Sequence, residues 1–113
     1  MPSQRDRVRL DHMVDHAREA IALIEGKSRP DLDDDRVLNL ALVSLLEIVG
    51  GAAGRVSQEC ALHPEIPWSQ IIGLRNRLIH EYDSVDYDIL WKIVTDDLPP
   101  LVNALEGILS IEE

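Results

Sequence analysis

The chain has 113 residues, enough for one domain spanning 1–113 with a single core. It carries 21 acidic against 11 basic residues, a formal charge of -10 that excludes indiscriminate nucleic-acid binding and confines any RNA contact to a local site. Its single cysteine, Cys60, excludes an internal disulfide and fits a reducing compartment, and the scarcity of aromatics favours packed helices over a β-sandwich.

Residues 2–11 are charged and lack the apolar stretch of a signal peptide, so a cytoplasmic location is expected. The first helix is predicted from Arg5 to Lys27, with Leu10, Met13, Val14, Ala17, Ile21 and Ile24 at helical spacing and Gly26 and Pro30 ending it. Lys27 and Arg29 then stand near the negative end of its dipole. His12 and His16 lie four residues apart, as a metal-binding pair could, but no third ligand is evident and a solvated surface pair is the simpler expectation.

The second helix follows Pro30 in the acidic run Asp31-Leu-Asp-Asp-Asp35, whose carboxylates suit the positive end of a helix. From Val37 to Val49 it is apolar nearly all round, interrupted by Asn39, Ser44 and Glu47. Its uncharged run is only about ten residues against the roughly 20 that cross a bilayer, so burial is expected and no membrane partner. Cover on so many sides exceeds what a small chain can supply, which points to a second subunit and a homodimer. Gly50-Gly-Ala-Ala-Gly54 lacks the strand and spacing of a phosphate loop and reads as a place of close helix approach, with the helix continuing to about Cys60. Cys60 has no neighbouring base and reads as a small buried residue, and residues 61–67 form a connector in which His63 has no assigned role.

Trp68 to Tyr82 reads as one short amphipathic helix begun by Pro67. Ile71, Leu74 and Leu78 form its apolar stripe, and Arg75, Asn76, Arg77, His80 and Tyr82 crowd its other side. Asp86 is expected to cap the last helix, which carries Tyr87, Leu90, Trp91, Val94, Leu98, Leu101, Leu105 and Ile108 as a long stripe. Pro99-Pro100 predicts a kink or restart near Asp96-Asp97. The fold class is all-α, an antiparallel four-helix bundle.

The polar side of the third helix suits RNA cleavage without a metal or cofactor. His80 titrates near neutrality and can take a proton from a ribose 2′-hydroxyl or give one to the leaving oxygen. Arg75 can set its planar donors against a phosphate gaining charge, and Asn76 can orient the imidazole or bond the phosphate. Arg75 and His80, five positions apart, are about 140° apart around a straight helix at roughly 100° per residue, so they do not share a face. They come together if the arginine swings towards the helix end, or if a twofold axis sets two copies of the helix beside one cleft. Arg and His near a helix C-terminus also occur for dipole reasons alone.

Arg75-Asn-Arg-Leu-Ile-His80-Glu-Tyr82 resembles the signature of the HEPN superfamily, an arginine followed after four to six residues by histidine. Tyr82, two residues after His80, is similar to the narrower HepT-like group. Arg36, Glu47-Ile-Val-Gly with its following Ala-Ala, Ile66-Pro-Trp68 and Asp97-Leu-Pro99 extend the likeness over about residues 5 to 109. The resemblance implies a homodimer with Arg75 and His80 of both subunits in one cleft. It implies a metal-independent endoribonuclease that leaves a 2′,3′-cyclic phosphate and acts as the toxin of a type VII-like toxin–antitoxin pair. It also implies a cognate nucleotidyltransferase antitoxin of the MntA type that places AMP on Tyr82, where added bulk and charge would repel an RNA phosphate. Gly51 departs from the glutamate the group often has, a difference that bears on activity or partner choice. The alternative from another class is a non-catalytic helical module that binds a nucleotidyltransferase or a nucleotide.

Overall fold

The computed structural model describes residues 3–58, 60–78 and 84–110. Its helices are α1 (Gln4–Leu23), a single turn α2 (Asp31–Asp34), α3 (Arg36–Ala53), α4 (Trp68–Ile72), α5 (Leu74–Leu78), α6 (Tyr87–Lys92) and α7 (Leu98–Ser110). A 3₁₀ turn, Cys60–Leu62, lies between α3 and α4, and a π-helical turn, Ile93–Asp97, joins α6 to α7. Among the described residues there is no β-sheet, and the four helical stretches make an all-α bundle about 19 Å across its thinnest dimension, two helix layers deep.

Ser3 begins α1 by accepting from the Asp6 N–H, so α1 starts near the predicted point. It ends earlier than predicted, at Leu23, and Gly26 supplies the left-handed turn (φ 75°) that follows. Leu10, Met13, Val14, Ala17 and Ala20 of α1 are buried, and both α3 and α7 pack on this helix. The two basic residues beyond α1 do not serve its dipole as expected. Arg29 instead donates to Asp33 at 3.2 Å and to Asp88 at 2.7 Å, tying the α1–α3 connection to α6.

The acidic run that was expected to open one helix divides into two devices. Asp31–Asp34 forms α2, and Asp35 leaves helical geometry (φ -112°, ψ 89°) to cap α3 by accepting from the Leu38 N–H at 2.9 Å. α3 stops at Ala53, short of the predicted Cys60. Ser57, just beyond, is held from across the fold: its N–H and hydroxyl donate to the two carboxylate oxygens of Asp6 at 2.9 and 2.6 Å. The same contact sets the start of α1 beside the end of α3, so the two run antiparallel.

α3 has 18 residues and is apolar enough by length and composition to cross a membrane, yet half of it is buried within this chain. Leu38, Leu42, Leu45, Leu46 and Val49 face the core, while Val37, Leu40 and Ile48 lie exposed. Gly50 permits the tightest approach: a Cβ there would stand 2.9 Å from the Ile71 carbonyl oxygen on α4. The expected close helix contact is therefore met at this glycine.

Candidate functional site

Two fixtures position the stretch that carries the arginine. Ile66 is buried, and the Trp68 indole N–H donates to the His63 carbonyl at 3.2 Å, which anchors the start of α4 on the connector. His63 thus contributes through its backbone, while its ring meets Glu65 at 3.1 Å. The single helix expected from Trp68 onward is broken at Gly73 (φ -86°, ψ 10°) into α4 and α5. Ile71, Leu74 and Leu78 remain buried on both sides of the break, as the stripe requires.

Arg75 and Arg77 leave α5 on different sides, as residues two apart on a helix do. Arg77 reaches Asp97 in the π-helical turn at 3.6 Å. It borders a cavity of about 300 Å³ whose mouth also holds Glu65, Asp96 and Asp97, a carboxylate-rich setting that disfavours an anion. Arg75 points the other way, towards α3, where its Nε lies 3.8 Å from Glu47. Its side chain is 60 % exposed and that of Glu47 45 %, so this pair is weak and leaves the guanidinium free to take a phosphate. An open cleft of about 380 Å³ surrounds it, lined by Glu47, Gly50, Gly51, Arg55, Ile72 and Arg75.

Asn76 is exposed on α5, and its side chain makes no hydrogen bond to a described residue. His80, the expected proton carrier, and Tyr82, the expected modification site, lie outside the described residues. His12 and His16 meet edge to face with ring centroids 6.1 Å apart, and the His16 ring contacts the His12 carbonyl at 2.6 Å. Among the described residues no three His, Cys, Asp or Glu side chains gather as a metal set.

The sequence profile of the Ribonuclease HepT-like family matches residues 13–108. The chain belongs to this family. A candidate RNase of Caldanaerobacter subterraneus subsp. tengcongensis is 35% identical over 92% of this chain and 94% of its own length. A ribonuclease HepT candidate of Thermococcus cleftensis is 39% identical over 87% of this chain and 93% of its own length. A candidate RNase of Methanocaldococcus jannaschii is 31% identical over 92% and 97% respectively. No solved structure gives a significant match.

Within this HepT-like chain the cleft adds residues that the motif alone did not single out. Glu47 and Gly51, four residues apart, share one face of α3, and Arg55, two residues past its end, lines the same cleft. The available signal was charge in and just beyond an otherwise apolar helix: Glu47 stands out as an interruption and as part of the family likeness but with no site role, and Arg55 is not singled out. Gly51 has no atom within 4 Å of where a Cβ would stand, so the cleft is open at this position.

Proposed function

We propose that this protein is a metal-independent endoribonuclease toxin acting through Arg75 and His80 of two subunits. The observation that carries this reading is Arg75 in an open cleft with only a weak ion pair, in a chain of the HepT-like ribonuclease family. A dimer is supported by the exposed apolar stripe of Val37, Leu40 and Ile48 on α3, continued by Ile72 on α4. Arg75 leaves α5 beside this stripe, so a twofold axis across it would bring two copies of the motif to one seam.

In the reaction, one His80 takes the proton of a ribose 2′-hydroxyl, whose oxygen attacks the adjacent phosphorus. The bond from phosphorus to the 5′-oxygen breaks, and the partner subunit's His80 returns a proton to that oxygen. Arg75 holds the phosphate oxygens as their charge grows. The products are a 2′,3′-cyclic phosphate and a free 5′-hydroxyl, with no water consumed. A nucleotidyltransferase antitoxin would end the activity by transferring AMP from ATP: the Tyr82 oxygen bonds the α-phosphorus, the bond to the β-phosphate oxygen breaks and pyrophosphate leaves, which adds a phosphate and a base to oppose the RNA.

Purified protein is expected to cleave RNA in EDTA, and mass spectrometry of the fragments to find cyclic phosphate ends. Arg75→Ala and His80→Ala should each lower cleavage by about 10² or more, in line with loss of an electrostatic stabiliser or an acid–base group. Folded, unmodified wild-type protein that leaves RNA intact would defeat the proposal.

A further inference from the structure

A second groove lies against the one that holds Arg75. It encloses about 330 Å³ and is lined by Arg9 and His12 from α1, by Ser44, Glu47, Ile48, Gly51 and Ala52 from α3, and by Arg55 in the turn just past α3. Glu47, Gly51 and Arg55 border both clefts, so the two are separated only by the ridge that the end of α3 and the turn after it make. Gly51 is the low point of the ridge, with open space where a side chain would rise.

The charge of these walls is opposite to that of the molecule. Among the described residues that line them, Arg9, Arg55 and Arg75 face a single carboxylate, Glu47, in a chain whose formal charge is -10. Arg9 and Arg55 make no ion pair with any described residue, although acidic side chains are abundant, Arg18 and Arg77 each take one and Arg29 takes two. The Arg9 Nε is buried and has no hydrogen-bond partner among the described residues. A buried charged donor left without an acceptor is costly, and an incoming anion would satisfy it.

We propose that Arg9, His12 and Arg55 form a phosphate-binding subsite for the RNA strand beyond the scissile bond, reached from Arg75 over the saddle at Gly51. The proposal rests on the ribonuclease reading and adds to it the substrate class: a single strand of several nucleotides, since the two clefts lie on opposite sides of a helix ridge up to about 10 Å wide. Arginine suits the task because its planar donors match phosphate oxygens and remain charged at any working pH. Gly51 lets the backbone of the strand cross where a glutamate would oppose it with both bulk and charge.

Binding is best measured by fluorescence anisotropy in a His80→Ala background, using a dinucleotide and an octanucleotide of the same single-stranded RNA. The octanucleotide should bind more tightly, with affinity falling as salt rises. Combining Arg9→Gln with Arg55→Gln should weaken it about tenfold at 0.1 M salt and lower the log–log salt slope by roughly 1.4, about 0.7 for each lost phosphate contact. Gly51→Glu, at a site with room for a side chain that borders both clefts, should weaken the octanucleotide by more than it weakens the dinucleotide, and it tests the crossing if the double variant does not fold. Unchanged octanucleotide affinity in these variants overturns the subsite while leaving cleavage by the wild type untouched. Conversion of the Arg9→Gln, Arg55→Gln protein to a monomer on sedimentation also overturns it, since the arginines would then serve the partner subunit. Absence of cleavage by the wild type, with length-dependent binding intact, defeats the ribonuclease reading and not the subsite.

Discussion

Gly50 and Gly51 are adjacent on α3 but have different surroundings, and substitution should move stability in opposite directions. A Cβ on Gly50 would meet the Ile71 carbonyl oxygen at 2.9 Å, and a backbone carbonyl cannot turn aside as a flexible side chain can. α3 and α4 would have to separate, so Gly50→Ala is expected to cost about 1–3 kcal/mol. Gly51 meets nothing within 4 Å, and Gly51→Ala should stabilise by about 0.5–1 kcal/mol because alanine loses less backbone freedom on entering a helix. Urea unfolding of the two single variants tests the pair: the midpoint should fall for the first and rise for the second at a constant slope. A neutral Gly50→Ala would mean that the α3–α4 approach does not require glycine. The small-residue pattern announced a close approach, but it could not tell which glycine makes it. That depends on where α4 runs, and α4 is placed by Ile66, Pro67 and Trp68 from a distant part of the chain.

At the level of elements, helix starts were legible where a single side chain makes them. Asp86 accepts from the Ile89 N–H at 3.1 Å as its position before Tyr87 suggests. The kink or restart expected near Asp96-Asp97 takes the form of a change of helix type without a break in the helical backbone. Pro99 and Pro100 have no N–H to give to the turn before them, and the chain widens into a π-helical turn in which the Leu98 N–H reaches the Ile93 carbonyl. Two boundaries were not legible. Gly73 breaks the hydrogen-bond ladder while Ile71, Leu74 and Leu78 keep their helical spacing across it, so periodicity does not register the break. The end of α3 is joined by Asp6, 51 residues away from Ser57 in sequence, a contact that local pattern cannot supply.

That joint has a measurable pH dependence. Burial pushes the Asp6 carboxyl up, but hydrogen bonds from the Ser57 hydroxyl and N–H, with help from Ser3 and Arg5, outweigh it and hold the group below its ordinary value of 3.8. A carboxylate with a depressed folded value adds stability above the unfolded value and loses it as pH falls through the folded one. Asp6→Asn should therefore cost about 1–3 kcal/mol at neutral pH, the range for hydrogen bonds to a charged group, and the gap to wild type should narrow as pH falls below about 3.8. Thermal melts across pH 7 to 2 follow that gap. A difference that stays constant through the acid range would show that the charge on Asp6 contributes nothing.

For the whole molecule, the candidate site was legible at Arg75 and Asn76 as exposed polar groups, but the face they belong to was not. Glu47, Arg55, Arg9 and His12 come to the same side only because α1, α3 and α5 pack together. The surplus apolar surface expected of the second helix has a definite location, with Val37 79% and Leu40 53% exposed one turn apart. If two copies meet there, apolar burial must overcome the repulsion between two bodies each of formal charge -10. Salt screens that repulsion over a Debye length of about 10 Å at 0.1 M, so dimerisation should strengthen as salt rises. RNA binding should weaken over the same range, because the phosphates exchange counterions for arginines. Sedimentation velocity over a salt series then separates the two interactions by the sign of their response. Leu40→Glu puts a charge in the middle of the stripe and should give a monomer that stays folded, since this side chain already faces solvent. Its cleavage should fall with its loss of dimer, because a cleft built from two subunits is divided when they part. A Leu40→Glu monomer that cleaves at the wild-type rate would place the whole active site within one chain.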